Sequence, residues 1–503
     1  MKIVLKYLGY LLILFSIFPI LPVITAIIYG ESFLPFFAPS VLALILGIAL
    51  LQYNHDHRKK VYISDFDLPR SISLSALSFI TISLIGTVPY ILVQSLSFID
   101  ALFESVSGFT TTGLTVLTNL DTVSRSLLIW RAETQWIGGL GIVLLFLIIV
   151  SAMRKQDSLK ETTTKARAIA RLYQAQGASE KLEANMKKSV RHTIFIYTGY
   201  TIAGILLLWF FGLSFFESLT TSFTSISTGG FMVTDTFYTS WPIIACLVFL
   251  MLAGSISWVL HNRLFRGYFR EFFMNRSVKL YAILLVVVIA GFTALTGSFK
   301  KALFETVSAM TTTGFSISDI SAFPVMVVFL IMFCMLIGGM LGSTAGGIKV
   351  NRLRLMLKSI PWVVKKAAAP SGAIIPLKSG KRVYTEEDIL VVHAFTLCYV
   401  VVLFIGTIIL LLTGLSFLDA SFQTVSALGV VGLSTTSPAA FHVAAKLTLI
   451  VAMLLGRLEI IPVLVLTKFL HESIRTRIRK KQEKARKLFY IRWSPSELWK
   501  RKL

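Results

Sequence analysis

Glu104-Ser-Val-Ser-Gly-Phe-Thr110-Thr111-Thr112-Gly113-Leu114 decides the reading of this chain, because it recurs. A second copy is Glu305-Thr-Val-Ser-Ala-Met-Thr311-Thr312-Thr313-Gly314-Phe315. Two weaker copies are Thr221-Ser-Phe-Thr-Ser-Ile-Ser227-Thr228-Gly229-Gly230-Phe231 and Gln423-Thr-Val-Ser-Ala-Leu-Gly429-Val430-Val431-Gly432-Leu433. Each is an apolar, helix-capable run that closes on a glycine between two long hydrophobic segments. The aligned glycines are 117, 84 and 118 residues apart, the middle spacing being short because the loop at 263–279 is short. An internal repeat of helix, re-entrant helix, helix accounts for the set.

The chain has 503 residues, 55% of them hydrophobic and 15% charged, with net charge +24 and mean hydropathy +0.77. Soluble domains carry about a quarter charged residues. Apolar runs of about 20 residues, enough to cross a ~30 Å hydrocarbon core, recur along the chain. An all-α polytopic membrane protein is expected. The basic excess then reads as positive-inside loops rather than as a nucleic-acid surface. Cys246, Cys334 and Cys398 lie in apolar surroundings without metal-ligand spacing and read as packing residues. Lys2 and Lys6 precede an apolar run reaching about Tyr29, too long for a signal peptide and read as a retained helix.

Taken in order, residues 1–70 hold a helical hairpin (7–29 and 33–53) and a basic link containing His55, His57, Arg58, Lys59 and Lys60. The first repeat and its loop fill 71–191: crossing 71–94, short helix 99–109, extended return 110–118, crossing 125–152, then a loop with Arg154, Lys155, Lys160, Lys165, Arg167, Arg171, Lys181, Lys187, Lys188 and Arg191. The second repeat, 192–278, crosses at 192–213, re-enters at 214–231 and returns through 239–260. The third, 279–387, crosses at 279–297, re-enters at 300–316 and returns through 323–357. The fourth, 388–471, crosses at 388–413, re-enters at 416–433 and returns through 444–470, before a basic tail at 472–503. About ten crossings place every long basic segment on one side. The outer connections carry Asp100, Asp121, Asp235, Asp319 and Asp419. These form either a mildly acidic mouth that concentrates cations or ordinary solvated loop charge.

Non-helical backbone survives at membrane depth only when buried in protein or lining a watery cavity. Thr-Thr-Thr-Gly makes a poor helix interior, because β-branched residues and glycine both lower helix propensity. It suits an extended strand whose glycine allows positive φ and turns carbonyls toward one axis. Carbonyl rings replace the hydration shell of a monovalent cation, and the C-terminal end of a preceding short helix favours a cation there. A Thr/Gly cluster can also be a simple turn or helix contact, but four copies at equivalent places favour the carbonyl-lined filter.

On these residues the chain resembles the Trk/Ktr/HKT superfamily of potassium transporters, and most of all its TrkH-type membrane subunits. The resemblance implies four non-identical repeats around one pseudo-fourfold pore. It implies a potassium filter built from Thr110, Thr111, Thr112 and Gly113; Ser227, Thr228, Gly229 and Gly230; Thr311, Thr312, Thr313 and Gly314; and Gly429, Val430, Val431 and Gly432. A serine in the first filter accompanies sodium passage in some relatives, so Gly113 favours potassium. Two departures stand out: Thr221 replaces the acidic or amide residue of the other copies, and the fourth filter lacks threonine hydroxyls. The resemblance further implies a homodimer in the cytoplasmic (inner) membrane. It adds a cytosolic TrkA-type nucleotide-binding partner docked on the basic loops, which otherwise set topology and meet lipid headgroups. Any nucleotide site would belong to that partner, because neither G-x-G-x-x-G nor a Walker motif occurs in this sequence.

Two gate candidates follow. Gly338, Gly339, Gly342, Gly346, Gly347 and Lys349 interrupt the third return helix. Broken helices at midplane form ion pathways or gates, and the stretch resembles the family's intramembrane loop. A close helix contact between small residues is the alternative. Arg457 lies inside the fourth return helix, where a charge faces a cavity or a partner. The resemblance puts it beneath the filter as a gate; the alternative is an ion pair with Glu459 or Glu305. Arg131 and Glu133 read as a structural pair, and Trp130, Trp136 and Trp241 as interfacial anchors. The expected activity is potassium uptake without enzymatic chemistry, with a sodium- or proton-coupled symporter on the same scaffold as the alternative.

Overall fold

The computed structural model of the chain describes residues 2–53, 68–158, 186–370, 375–379 and 382–460, with isolated positions at 373, 463, 467, 475, 482 and 483. The basic link at 55–60, residues 160–181 of the first basic loop, Lys381 and nearly all of 461–503 lie outside the described residues.

The N-terminal hairpin runs through helices Lys2–Phe15, Ile20–Tyr29 and Leu34–Tyr53. Leu8, Leu12 and Phe15 pack into one cluster with Phe79, Phe109 and Trp130 of the first repeat. Phe15 meets Phe109 and Trp130 edge-on, at ring-centroid distances of 5.8 and 6.5 Å. Glu31 closes this interface. Its carboxylate accepts the backbone N–H groups of Arg125 (2.8 Å) and Ser126 (2.9 Å), where the first return helix begins and its dipole favours an anion.

Four units follow, each an outgoing helix, a short helix, an extended segment and a return helix. The outgoing helices are Leu68–Ile85 continued by Val88–Gln94, then Met186–Phe210, Arg276–Thr296 and Glu386–Leu412. The short helices are Phe98–Phe109, Phe215–Ile226, Phe299–Thr311 and Phe417–Gly429. At 12 or 13 residues each, they reach about 18–20 Å and cannot cross the hydrocarbon alone. Their starts share one device. Ser97, Ser214, Ser298 and Ser416, each followed by phenylalanine, accept the N–H three residues on, from Asp100, Glu217, Lys301 and Asp419. Such caps satisfy donors that a helix start leaves open.

The return helices differ from one another. The first, Arg125–Ser158, is continuous. The second, expected to be unbroken, stops at Ser255 and resumes at Trp258 after a 107° bend. The third ends at Ile337, runs irregularly through 338–349 and restarts as Val350–Ala367. The fourth is helical over Val443–Leu458. Among the described residues six helices are long and apolar enough to cross a bilayer, or seven if the bent pair is one span. The third return helix is cut to 13 residues by its break after Ile337. A small antiparallel hairpin, Leu377–Ser379 with Arg382–Tyr384, stands in the basic loop after the third repeat.

Trp130 is no interfacial anchor: it is fully buried, held by the N-terminal hairpin against the first repeat. Trp136 donates to the Thr201 hydroxyl at 3.1 Å and stacks on Phe223. Only Trp241, half exposed, has the setting of an anchor. Cys246 and Cys334 are buried and Cys398 half-buried, all free thiols.

A second repeated glycine stands on the return helices. A Cβ on Gly138, Gly254 or Gly456 would overlap the carbonyl oxygen of Phe109, Ile226 or Leu428 respectively, at the end of the same repeat's short helix. In the third repeat the corresponding Gly338 has φ +68° and the helix ends there. Helix propensity alone favours alanine over glycine by ~1 kcal/mol, whereas overpacking costs ~1–3 kcal/mol. Gly456→Ala is therefore expected to lower the thermal unfolding midpoint in detergent; a raised midpoint would show that propensity outweighs the close approach.

Candidate ion-conduction site

The four extended segments close a ring. A Cβ placed on Gly113 would overlap the carbonyl oxygen of Gly229; on Gly230, that of Thr313; on Gly314, that of Val431; on Gly432, that of Thr112. Glycine follows glycine round the same circuit. Those Cβ positions lie 3.6 Å from Gly230, 3.1 Å from Gly314, 3.1 Å from Gly432 and 2.9 Å from Gly113. The structure brings these four glycines together.

The backbone repeats as well. The ring glycines have φ of +91°, +73°, +86° and +96°, and the residues two before them, Thr111, Thr228, Thr312 and Val430, have φ of +57°, +52°, +56° and +58°. A left-handed residue ends each short helix, and the next N–H bonds back to the last turn. Thr112 donates to the Ser107 carbonyl (2.8 Å), Gly229 to Thr224 (2.8 Å), Thr313 to Ser308 (2.9 Å) and Val431 to Ser426 (2.9 Å). That is a Schellman closure with threonine or valine where glycine is usual. Because Val430 adopts the same conformation, the missing hydroxyls of the fourth copy leave its backbone path unchanged.

Behind the ring, a side chain nine residues before each glycine braces the outer end of its own segment. Glu104 Oε1 accepts from the Thr115 hydroxyl (2.5 Å) and the Val116 N–H (2.5 Å). Glu305 Oε1 accepts from Ser316 (2.8 Å), the Ile317 N–H (2.9 Å) and Ser318 (3.1 Å). Gln423 Nε2 donates to Ser434 (2.5 Å) and the Thr436 carbonyl (2.8 Å). Thr221 is too short to reach its own segment and, among the described residues, its hydroxyl meets only that of Tyr238, at 3.2 Å. Arg131 pairs with Glu104 (3.5 Å), not with Glu133, because residues two apart on a helix do not face each other. Its guanidinium also donates to the Met232 carbonyl (3.0 Å) and lies 4.1 Å over the Phe231 ring, both in the second repeat.

Beneath the ring lies the loop 338–349. The Thr344 hydroxyl donates to the Gly254 carbonyl (2.8 Å) and accepts from Thr228 (3.2 Å). The Gly346 N–H donates to the Thr312 hydroxyl at 2.7 Å. A Cβ on Gly346 would overlap the Gly429 carbonyl oxygen. Three of the four left-handed corners thus touch this loop, while the Thr111 hydroxyl has no partner among the described residues. Lys349, at φ +81°, donates to the Ala345 carbonyl and tightens the loop. Gly338 and Gly347 lie against each other across the loop's base, Gly339 abuts Ala345, and the Gly342 carbonyl accepts the Trp258 N–H at 3.0 Å. This is a folded loop rather than two helices meeting at a small-residue seam.

Arg457 is buried against that loop. It donates to the Thr344 carbonyl (2.6 Å) and the Gly138 carbonyl (3.1 Å). Neither expected carboxylate pairs with it: Glu305 braces its own segment, and Glu459 pairs with Arg352 at 2.7 Å. Among the described residues the guanidinium therefore has only carbonyl acceptors, one on the loop and one on the first return helix.

The outer aspartates divide. Asp100 and Asp419 belong to helix caps, Asp100 also pairing with Lys446 at 2.6 Å, and Asp319 caps the turn at Ile320. Asp121 and Asp235 approach across repeats, each backbone N–H facing the other's carboxylate at 3.4–3.5 Å. Sequence reasoning missed the serine caps, although Ser-Phe stands sixteen residues before every ring glycine. It also missed Gln135, whose amide meets Gly229 and Phe231 of the second segment.

A family model described as TrkH, cation transport protein, matches residues 35–274 and 287–477. An uncharacterized cation transporter of Methanocaldococcus jannaschii is 31% identical, over 92% of this chain and 94% of its own. The Trk system potassium uptake protein TrkH of Halomonas elongata is 30% identical, over 93% and 98%. The crystal structure of the potassium transporter TrkH from Vibrio parahaemolyticus superposes with a TM-score of 0.78 at 26% identity, covering 92% of this chain and 98% of that one.

The braces differ in strength, and this sets an order. Glu305→Ala removes three bonds to a buried carboxyl, each worth ~0.5–1.5 kcal/mol net, whereas Thr221→Ala removes one. Thermal unfolding in detergent should show a larger drop for Glu305→Ala; equal drops would remove the bracing role.

Proposed function

The chain belongs to the TrkH family of cation transport proteins, and from that premise we propose that it carries potassium inward across the cell membrane, through the ring of Gly113, Gly230, Gly314 and Gly432. Closure of that ring, each glycine seated against the next segment's carbonyl, is the observation that carries the reading. Its physical basis is the exchange of a hydration shell for backbone oxygens. A side chain at any ring glycine would displace a neighbouring carbonyl. Four short helices end at the ring, and their carbonyl ends favour a cation. Relatives named as potassium uptake proteins support potassium over other cations.

Loop 338–349 and Arg457 serve as the gate in this reading. The loop occupies the space under three corners, and the fixed positive charge of Arg457 bound to it opposes a cation leaving the ring. Opening must release the Arg457–Thr344 and Gly346–Thr312 bonds. The Arg352–Glu459 pair joins the far end of the loop to the fourth return helix, so a movement of Val350–Ala367 reaches Arg457 directly. A cytosolic nucleotide-binding partner of TrkA type would act on that helix, whose Lys365 and Lys366 end it with positive charge. The chain itself would assemble as a homodimer.

Uptake of rubidium, potassium and sodium in cells lacking other potassium importers tests the reading. Gly113→Ser is expected to raise sodium entry relative to rubidium; an unchanged ratio would take Gly113 out of the ion path. Arg457→Ala is expected to raise basal rubidium flux, whereas lower flux at normal expression would contradict a gate.

A further inference from the structure

The second segment differs from the other three just before its ring glycine. Thr112, Thr313 and Val431 carry side chains there; Gly229 does not. Backbone conformation does not demand glycine, since Gly229 is absent from the residues with positive φ. Space does. A Cβ on Gly229 would overlap the Gln135 amide and lie 2.9 Å from the Gln135 Cβ. Gln135, fully buried on the first return helix, fills the place of the missing side chain. Its Nε2 donates to the Gly229 carbonyl at 2.7 Å, and its Oε1 accepts the Phe231 N–H at 3.0 Å. The amide thus grips the backbone on both sides of Gly230.

The gripped carbonyl belongs to the ring, being the oxygen against Gly113. Among the described residues its three counterparts, on Thr112, Thr313 and Val431, accept from no side chain. Gln135 stands three residues before the close-approach Gly138. The residues three before Gly254, Gly338 and Gly456 are Met251, Met335 and Met453, all buried. An amide therefore replaces a thioether of similar length in one repeat only, and in the repeat adjoining the segment that Thr221 fails to brace. Arg131, one turn away on the same helix face, holds the Met232 carbonyl of that segment as well.

We propose that Gln135 is the positioning residue of the second filter segment: it replaces both the side chain lost at Gly229 and the brace lost at Thr221, and by holding the Gly229 carbonyl it sets cation preference. The proposal rests on the ring being the ion path. Gln135→Met keeps volume and removes both bonds, each worth about a factor of five. The expected result is normal accumulation, with rubidium preference over sodium reduced about tenfold or more. Gly229→Thr alone should fail to accumulate or to transport, and Gln135→Ala/Gly229→Thr should restore uptake with most of the preference.

A wild-type preference in Gln135→Met, beside an altered one in Gly230→Ser, overturns the positioning role and leaves the ring as the ion path. A wild-type preference in both overturns both. If Gln135→Met does not accumulate, the double variant decides. Recovery beyond either single change supports the pairing, and its failure overturns it.

Discussion

The architecture depends on a contact between backbones: a glycine of one segment against a carbonyl oxygen of the next, made four times in a closed circuit. No L-residue with a side chain fits that contact without displacing the oxygen. Each segment arrives there through a left-handed residue, and three of these are threonine and one valine. Such residues cost of order 1–3 kcal/mol each where the surroundings hold them. The Schellman closures, the buried hydroxyl pairs Thr110–Thr112 (2.7 Å) and Thr311–Thr313 (2.8 Å), and the braces at Glu104, Glu305 and Gln423 supply that hold. Because every segment rests on its neighbour, a displacement in one is passed to the next.

The circuit is fourfold in backbone and asymmetric in everything that supports it. Three segments are braced from within their own repeat; the second is held by Arg131 and Gln135 of the first. Three corners touch the loop at 338–349; at the remaining side Arg457 joins the loop to Gly138. Four copies of one hairpin have thus been given separate tasks without altering the shared contact. Fusion of the repeats in one chain permits this, because each position can change alone.

What the sequence made legible follows from what tolerates few residue types. The ring glycines and the glycine-rich break after Ile337 could be read because the backbone there excludes side chains or helix. Six crossings among the described residues could be read from length and hydropathy; the bend between Ser255 and Trp258 could not, since no proline or glycine run announces it. The serine caps and the second glycine series were present at nearly constant offsets and were readable in principle. Partner choice was not. That Arg131 takes Glu104, that Glu459 takes Arg352, and that Trp130 is sealed by Phe15 depend on tertiary packing. Asp100, Asp319 and Asp419, which the sequence left open between mouth charge and solvated loop charge, serve chiefly as local caps.

Anomalous diffraction from crystals of the whole chain grown in rubidium or thallium addresses the central contact most directly. The account predicts a peak on the axis between Gly113, Gly230, Gly314 and Gly432, with the carbonyl oxygens of Thr112, Gly229, Thr313 and Val431 as its nearest neighbours. Bound ions located only elsewhere, for example beside Asp121 and Asp235, with none on that axis, would contradict it.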